Sequence, residues 1–277
     1  MTKTRIDARF AALKAEGRAA FVGYIMAGDP DYETSLEILK GMPAAGADII
    51  EYGFPFSDPV GDGPAIQVAA LRALDKGMTL RRTLDAVAEF RKVDQDTPVI
   101  LMGYTNPLVV WGYEAFARDA AEAGVDGFII VDTPPEEAGP LTDALEAHDL
   151  ALIRMTTPTS DDRRLETVVK RTAGFVYYAS VAGTTGAKEA DAGEVAPHVA
   201  RIQAASGLPV AVGFGIKTPE RAAAIARVAD AAVVGTALVE EVQTGLAMNE
   251  SVKARVLSKV ESLAKAVRSA RVDSQTV

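Results

Sequence analysis

Two carboxylates eleven residues apart, Glu51 and Asp62, stand in the stretch EYGFPFSDPVGDGPAIQ. Glu51 follows AlaAspIleIle, a run that reads as a buried strand, and so lies at or near that strand's exit. Asp62 lies in a loop punctuated by Gly and Pro. Beside Tyr52, Phe54 and Phe56, apolar surroundings disfavour a charged carboxylate and raise the pKa of Glu51, whereas a solvated loop aspartate at 62 stays ionised. One group that moves a proton near neutrality and one that holds a positive or N–H group make a site for acid–base chemistry. No Lys or Arg stands between Glu51 and Arg72, so Glu51 has no local ion-pair partner in the sequence. Asp62 taken alone, followed by Gly, also fits a turn former, and Asp58 in SerAspPro reads as a structural or interface residue.

A second constellation falls late in the chain. The turns GTTG at 183–186, GFG at 213–215 and GTA at 235–237 each follow a short apolar run and precede a helix or turn. Glycine permits close backbone approach, and free N–H groups at helix starts bind anions. Each glycine could simply make a tight strand-to-helix turn. Three at one rim of a barrel point to a phosphoester ligand.

Elements that position these residues recur at regular spacing. Candidate strands are Phe21–Ala27, Asp48–Gly53, Val99–Tyr104, Gly127–Asp132, Leu152–Thr157, Phe175–Ser180, Val210–Gly215 and Ala231–Gly235. Amphipathic stretches between them predict helices over Tyr32–Ala45, Pro64–Lys76, Tyr113–Ala123, Pro135–Ala147, Asp161–Arg171, Gly193–Ala205 and Pro219–Ala229. Alternation of buried strands with helices indicates a parallel sheet. Eight strands in one run, with no GxGxxG after the first, favour a closed (β/α)8 TIM barrel over a doubly wound sheet. Extra helices are expected at Arg5–Glu16, Leu80–Arg91 and Ser251–Arg268, with a frayed tail over residues 270–277. Residues 1–277 read as one domain, its active site in the loops at the C-terminal ends of the strands.

Composition narrows the partners. A net charge of −9 argues against a nucleic-acid surface, so an anionic ligand must be held by local N–H groups. The absence of cysteine removes disulfides, thiol catalysis and Cys-based metal sites, and fits a cytoplasmic setting. The N-terminus has neither a signal-peptide core nor a run long enough to span a bilayer. His148 and His198 fall in predicted helices on the exterior, Trp111 is expected to pack on the third helix, and no His or carboxylate pair has trusted metal-ligand spacing.

With the barrel and the glycine turns in place, the sequence resembles the tryptophan synthase alpha family from Phe21 to about Glu241. The resemblance rests on FVGYIMAGDP, EYGFPFSDPVGDGPAIQ, VDTPPEE, SVAGTTGAK, GFGI and VVGTALV, which occur in order at six barrel positions. It implies cleavage of indole-3-glycerol phosphate to indole and glyceraldehyde 3-phosphate, without cofactor or metal. It also implies a beta subunit that carries pyridoxal phosphate and receives the indole, in an alpha-beta-beta-alpha heterotetramer. By the same resemblance Glu51 is the acid–base, and Asp62 accepts the indole N–H. Tyr177 lies near substrate or Asp62, and Thr185 sits in a loop that closes. Gly186, Gly215, Gly235 and Thr236 hold the phosphate, and Tyr24, Met102, Tyr104, Val131 and Met155 line the indole pocket, although plain barrel packing explains those five equally well. Thr236 stands where serine is common, Gly61 replaces a frequent alanine, and Val181 stands where some members have arginine. A freestanding indole-releasing lyase, a degenerate barrel kept as an allosteric subunit and another sugar-phosphate barrel remain alternatives.

Overall fold

The computed structural model describes residues 4–180, 191–213 and 215–271. Its apolar, β-branched runs form strands that pair in parallel throughout. They are β1 (Ala20–Met26), β2 (Ile49–Gly53), β3 (Val99–Gly103), β4 (Gly127–Ile130), β5 (Ala151–Leu152), β6 (Arg154–Thr156), β7 (Val176–Ala179), β8 (Val210–Gly213) and β9 (Ala231–Val234). The order β5-β4-β3-β2-β1-β9-β8-β7-β6 puts two consecutive segments, β5 and β6, at its two ends. They flank Ile153, whose N–H donates to the Phe128 carbonyl at 2.9 Å, so the ring closes through this one stretch. The expected strand at Leu152–Thr157 is therefore two segments with a one-residue break, and the barrel of eight staves stands.

The helices are α1 (Arg5–Ala15), α2 (Tyr32–Gly41), α3 (Pro64–Asp75), α4 (Leu80–Arg91), α5 (Thr105–Trp111), α6 (Tyr113–Ala123), α7 (Gly139–Glu146), α8 (Asp162–Val169), α9 (Ala192–Ser206), α10 (Pro219–Val228), α11 (Thr236–Met248) and α12 (Val252–Ser269). Two of them, α5 and α11, are additions to the sequence reading. Trp111 ends α5 and packs between neighbours: the Arg81 guanidinium of α4 lies 4.2 Å over its ring, and Phe116 of α6 meets it edge-on at 5.9 Å. The helix expected from Pro135 starts only at Gly139, because a residue preceding proline is pushed out of the helical region and Thr133 and Pro134 both precede one. Likewise α2 stops at Gly41, two residues before Pro43. At the other end of the chain the Arg271 side chain donates to the carbonyls of Ala226 (2.9 Å) and Ala229 (2.6 Å), while residues 272–277 of the tail expected to fray lie outside the described residues.

Strand periodicity sorts the core into two layers. Val22, Ile49, Ile100, Ile129, Ile153 and Val233 fill the barrel, where α1 closes the N-terminal end of the strands with Ile6, Phe10 and Leu13. Phe21, Ile50, Leu101, Phe128, Leu152 and Val212 face outward under the helices. Complete burial of side chains of this size is worth roughly 1.5–3 kcal/mol each, so a one-residue slip of any strand is strongly disfavoured. Only two described strand residues carry charge, Glu51 and Arg154. Glu51 shares the inward parity of Ile49, and Arg154 the outward parity of Leu152.

Candidate active site

Parallel strands end together, so the side chains near their C-terminal ends converge on one mouth. From β1 comes Tyr24, from β2 Glu51, from β3 Met102, from β7 Tyr177 and from β9 Val233, all lining a single cleft. Register places Tyr24 beside Glu51, and Glu51 beside Ile100. The loop after β2 brings Asp62 over the same cleft, and its closing position is set by Gly63 as N-cap and Pro64 in the first turn of α3.

Glu51 is 1 % exposed, and its Oε1 has no hydrogen-bond partner among the described residues. Burial alone pushes its carboxyl up to about 8. Arg72, the nearest cation ahead in the sequence, is committed elsewhere: it grips Asp29 through two bonds of 2.7 and 2.8 Å. Asp62 departs from the sequence reading, because it is 8 % exposed rather than solvated. Burial raises it to about 6, opposed by the Tyr104 hydroxyl, which donates to Asp62 Oδ2 at 3.1 Å. The same hydroxyl accepts from the Gly61 N–H at 3.0 Å, which ties the loop to the end of β3. The order of the two carboxyls is nonetheless the expected one: near pH 7 Glu51 holds its proton and Asp62 has lost it. Both raise the hydroxyls of Tyr24 and Tyr177 further above the usual tyrosine range, after burial itself. Tyr177 leans over Gly213 of the neighbouring strand β8, where an added Cβ would lie 1.9 Å from its hydroxyl oxygen. Only glycine fits there.

Gly215, Gly235 and Thr236 line the same cleft as the carboxylates. Gly215 has φ of 73°, a conformation glycine adopts without strain. Gly235 is the N-cap of α11, and Thr236 its first residue, so the first N–H groups of a 13-residue helix have no partner within it. That end attracts an oxyanion. Sequence reasoning passed over Ile66, Ile216, Lys217 and Val233, which also line the cleft. Lys217 could have been found from its place two residues after Gly215. Its Nζ rests on Glu240 Oε1 at 2.7 Å.

The remaining expectations fall out as follows. Tyr104 reaches the site through Asp62 rather than by lining the cleft. Val131 and Met155 line a separate neighbouring cavity, while Val131 also stands 3.4 Å from where a Cβ on Gly61 would lie. Thr185, Gly186 and Val181 lie outside the described residues. His198 stacks on Tyr178 outside the barrel at 5.3 Å, away from the cleft, and His148 lies beyond α7. Among the described residues no group of His, Cys, Asp or Glu has the arrangement to hold a metal ion, and no helix is long and apolar enough to cross a membrane.

Comparison with known proteins gives one answer. A family model described as tryptophan synthase alpha chain matches residues 10–268. A tryptophan synthase alpha chain of Phenylobacterium zucineum is 71 % identical over 277 residues, covering 100 % of both chains. One from Caulobacter sp. strain K31 is 68 % identical over 273 residues, covering 99 % of both. Among solved structures, tryptophan synthase subunit alpha from Legionella pneumophila superposes with a TM-score of 0.89 at 39 % identity, covering 95 % of this chain and 98 % of that one.

Proposed function

The chain belongs to the tryptophan synthase alpha family and is a lyase that cleaves indole-3-glycerol phosphate to indole and glyceraldehyde 3-phosphate; we propose that Glu51 and Asp62 divide the chemistry of that cleavage. The observation that carries this reading is a buried carboxyl whose Oε1 has no hydrogen-bond partner among the described residues, held neutral to about 8, in one cleft with a more acidic carboxyl.

The neutral Glu51 gives its proton to the indole ring carbon that bears the glycerol chain. Positive charge develops on the ring, and Asp62, ionised at pH 7, accepts the ring N–H and offsets that charge. The Glu51 carboxylate then takes the proton of the hydroxyl on the adjoining side-chain carbon. The bond between ring and side chain breaks, its electron pair returns to the ring as indole, and the hydroxyl carbon becomes the aldehyde. Glu51 ends the cycle neutral, as it began. Two carboxyls held on opposite sides of neutrality supply both roles without a metal or cofactor.

The phosphate is held by N–H groups at Gly215, Gly235 and Thr236 with the N-terminus of α11, and Lys217 adds a cation at that end. Tyr24, Met102 and Tyr177 surround the indole. The working assembly is an alpha-beta-beta-alpha heterotetramer in the cytoplasm, with pyridoxal phosphate in the beta subunit alone. Exposed Val60 (79 %) after β2 and Val110 (82 %) after β3 give the rim an apolar surface suited to that partner. The test is indole release from indole-3-glycerol phosphate by the purified chain, with and without a tryptophan synthase beta subunit. Slow release that rises severalfold with the partner is expected. Release equally fast alone would replace the complex with a freestanding lyase, and no release under either condition would sink the assignment.

A further inference from the structure

The second charged strand residue, Arg154, has no part in the cleft. It points outward from β6 between α7 and α8 and is 8 % exposed. Its Nη2 donates to Thr142 Oγ1 at 3.2 Å, and its Nε is buried with no hydrogen-bond partner among the described residues. Among the described residues no ion pair joins it to a carboxylate; Glu136, the acid whose charge it feels, is paired with Arg164 instead. A guanidinium presents five donors in a fixed fork, and burying one without a counter-charge is unfavourable.

A cavity adjoins it. Arg154 and Arg164 line a cavity of about 350 Å³, together with the hydroxyl-bearing Thr133, Thr157 and Ser160 and one carboxylate, Asp132, whose Oδ1 is taken up by the Thr105 N–H and hydroxyl. Two guanidinium groups and three hydroxyls around one cavity are the donor set that oxyanions select. We propose that this cavity, between the loop that follows β4 and helix α8, is a second binding site for a small oxyanion bearing a carboxylate or phosphate group. The orphaned Arg154 donor and the second guanidinium in the same cavity carry it. The anion takes Arg154 directly and shares Arg164 with Glu136. The site stands apart from the cleft, so it exists whether or not the roles given to Glu51 and Asp62 hold.

Two methionines separate the sites. Met155 lines the new cavity and Met102 the cleft. Methyl-labelled methionine spectra of the full chain, titrated with inorganic phosphate, should show Met155 shifting along its own saturation curve, distinct from that of Met102. Arg154→Gln should abolish the Met155 response and spare that of Met102. Should that variant fold poorly, Arg164→Gln, altered at a half-exposed side chain, should weaken the Met155 curve about fivefold or more. Removing the competing carboxylate by Glu136→Gln should tighten it severalfold. Malonate in place of phosphate decides the ligand class: a response to phosphate alone assigns phosphate esters, a response to malonate alone assigns carboxylates, and a response to both assigns oxyanions generally. Silence of Met155 toward both anions, or a curve unchanged in Arg154→Gln, overturns the proposal.

Discussion

The inner and outer faces of the barrel each bury one charge in a strand, and they treat it differently. Inside, Glu51 escapes the cost by keeping its proton, since burial lifts it to about 8. Outside, Arg154 has no such route, because a guanidinium does not give up its proton in proteins. Burial lowers its pKa only from a very high starting point. A buried acid thus becomes a neutral proton donor, whereas a buried guanidinium remains a charge in need of a partner. In the roles proposed above, the inner charge serves as a reagent and the outer one as a receptor.

The largest expected effect breaks the inner half of this contrast. Glu51→Gln keeps shape and neutrality but removes the transferable proton, so indole release should fall by about a thousandfold, within the range for a lost general acid–base. The same variant should be more stable than the parent at alkaline pH. The folded-state pKa of Glu51 lies above its ordinary value of 4.5, so the unfolded chain loses its proton first. The contribution of Glu51 is full below pH ~4.5 and falls as pH rises to about 8, on the order of a few kcal/mol in all. Thermal melts at pH 5 and pH 9 measure it: the advantage of the glutamine variant should widen with pH. An advantage that shrank would mean Glu51 is ionised in the fold.

Next in size is the pH profile of kcat/KM, which should be a bell with edges near 6 and 8, where Asp62 ionises and Glu51 loses its proton. Tyr104→Phe removes the donor that opposes the rise of Asp62, so the acid edge should move to higher pH while the alkaline edge stays. Movement of both edges would mean that the two carboxyls titrate as one coupled unit.

A smaller effect concerns the phosphate end. Lys217→Met should raise KM for indole-3-glycerol phosphate about three- to tenfold with kcat little changed, the signature of lost uniform binding. A fall in kcat alone would place Lys217 nearer the reacting atoms than the cleft does.

The smallest effect sharpens the outer half of the comparison. Arg154→Leu replaces an unpaired buried cation by an apolar side chain, and should stabilise the chain by about 1 kcal/mol in phosphate-free buffer. Chemical denaturation reads it directly. Loss of stability by several kcal/mol would make the bond to Thr142 a structural tie, and the outer charge no liability.

Much of the site was legible in the sequence because local chemistry and strand periodicity both survive folding. A carboxylate on an apolar run, flanked by aromatics, has few ways to avoid burial, so Glu51 could be read before the fold was known. Asp62 was read correctly in its acidity relative to Glu51 but not in its environment. Its neighbours in sequence include Gly, Pro and Asp, while the hydroxyl that binds its carboxylate belongs to Tyr104, 42 residues away. Lys217 and Ile216 were overlooked because a residue just past a glycine turn looks like solvent-facing loop until the barrel closes. The helix α5 was missed because a Pro in its first turn and its seven-residue length leave little periodicity to detect.

By itself the sequence determined the alternation of strand and helix, the identity of the two carboxylates and the late glycine turns, since each depends on residues close along the chain. Tertiary structure alone decided how far burial raises each carboxyl, that Asp62 is buried at all, that Arg72 is spent on Asp29, and that Arg154 lines a cavity. Those outcomes depend on desolvation and on partners from distant segments. Neither quantity exists until the strands close into a ring.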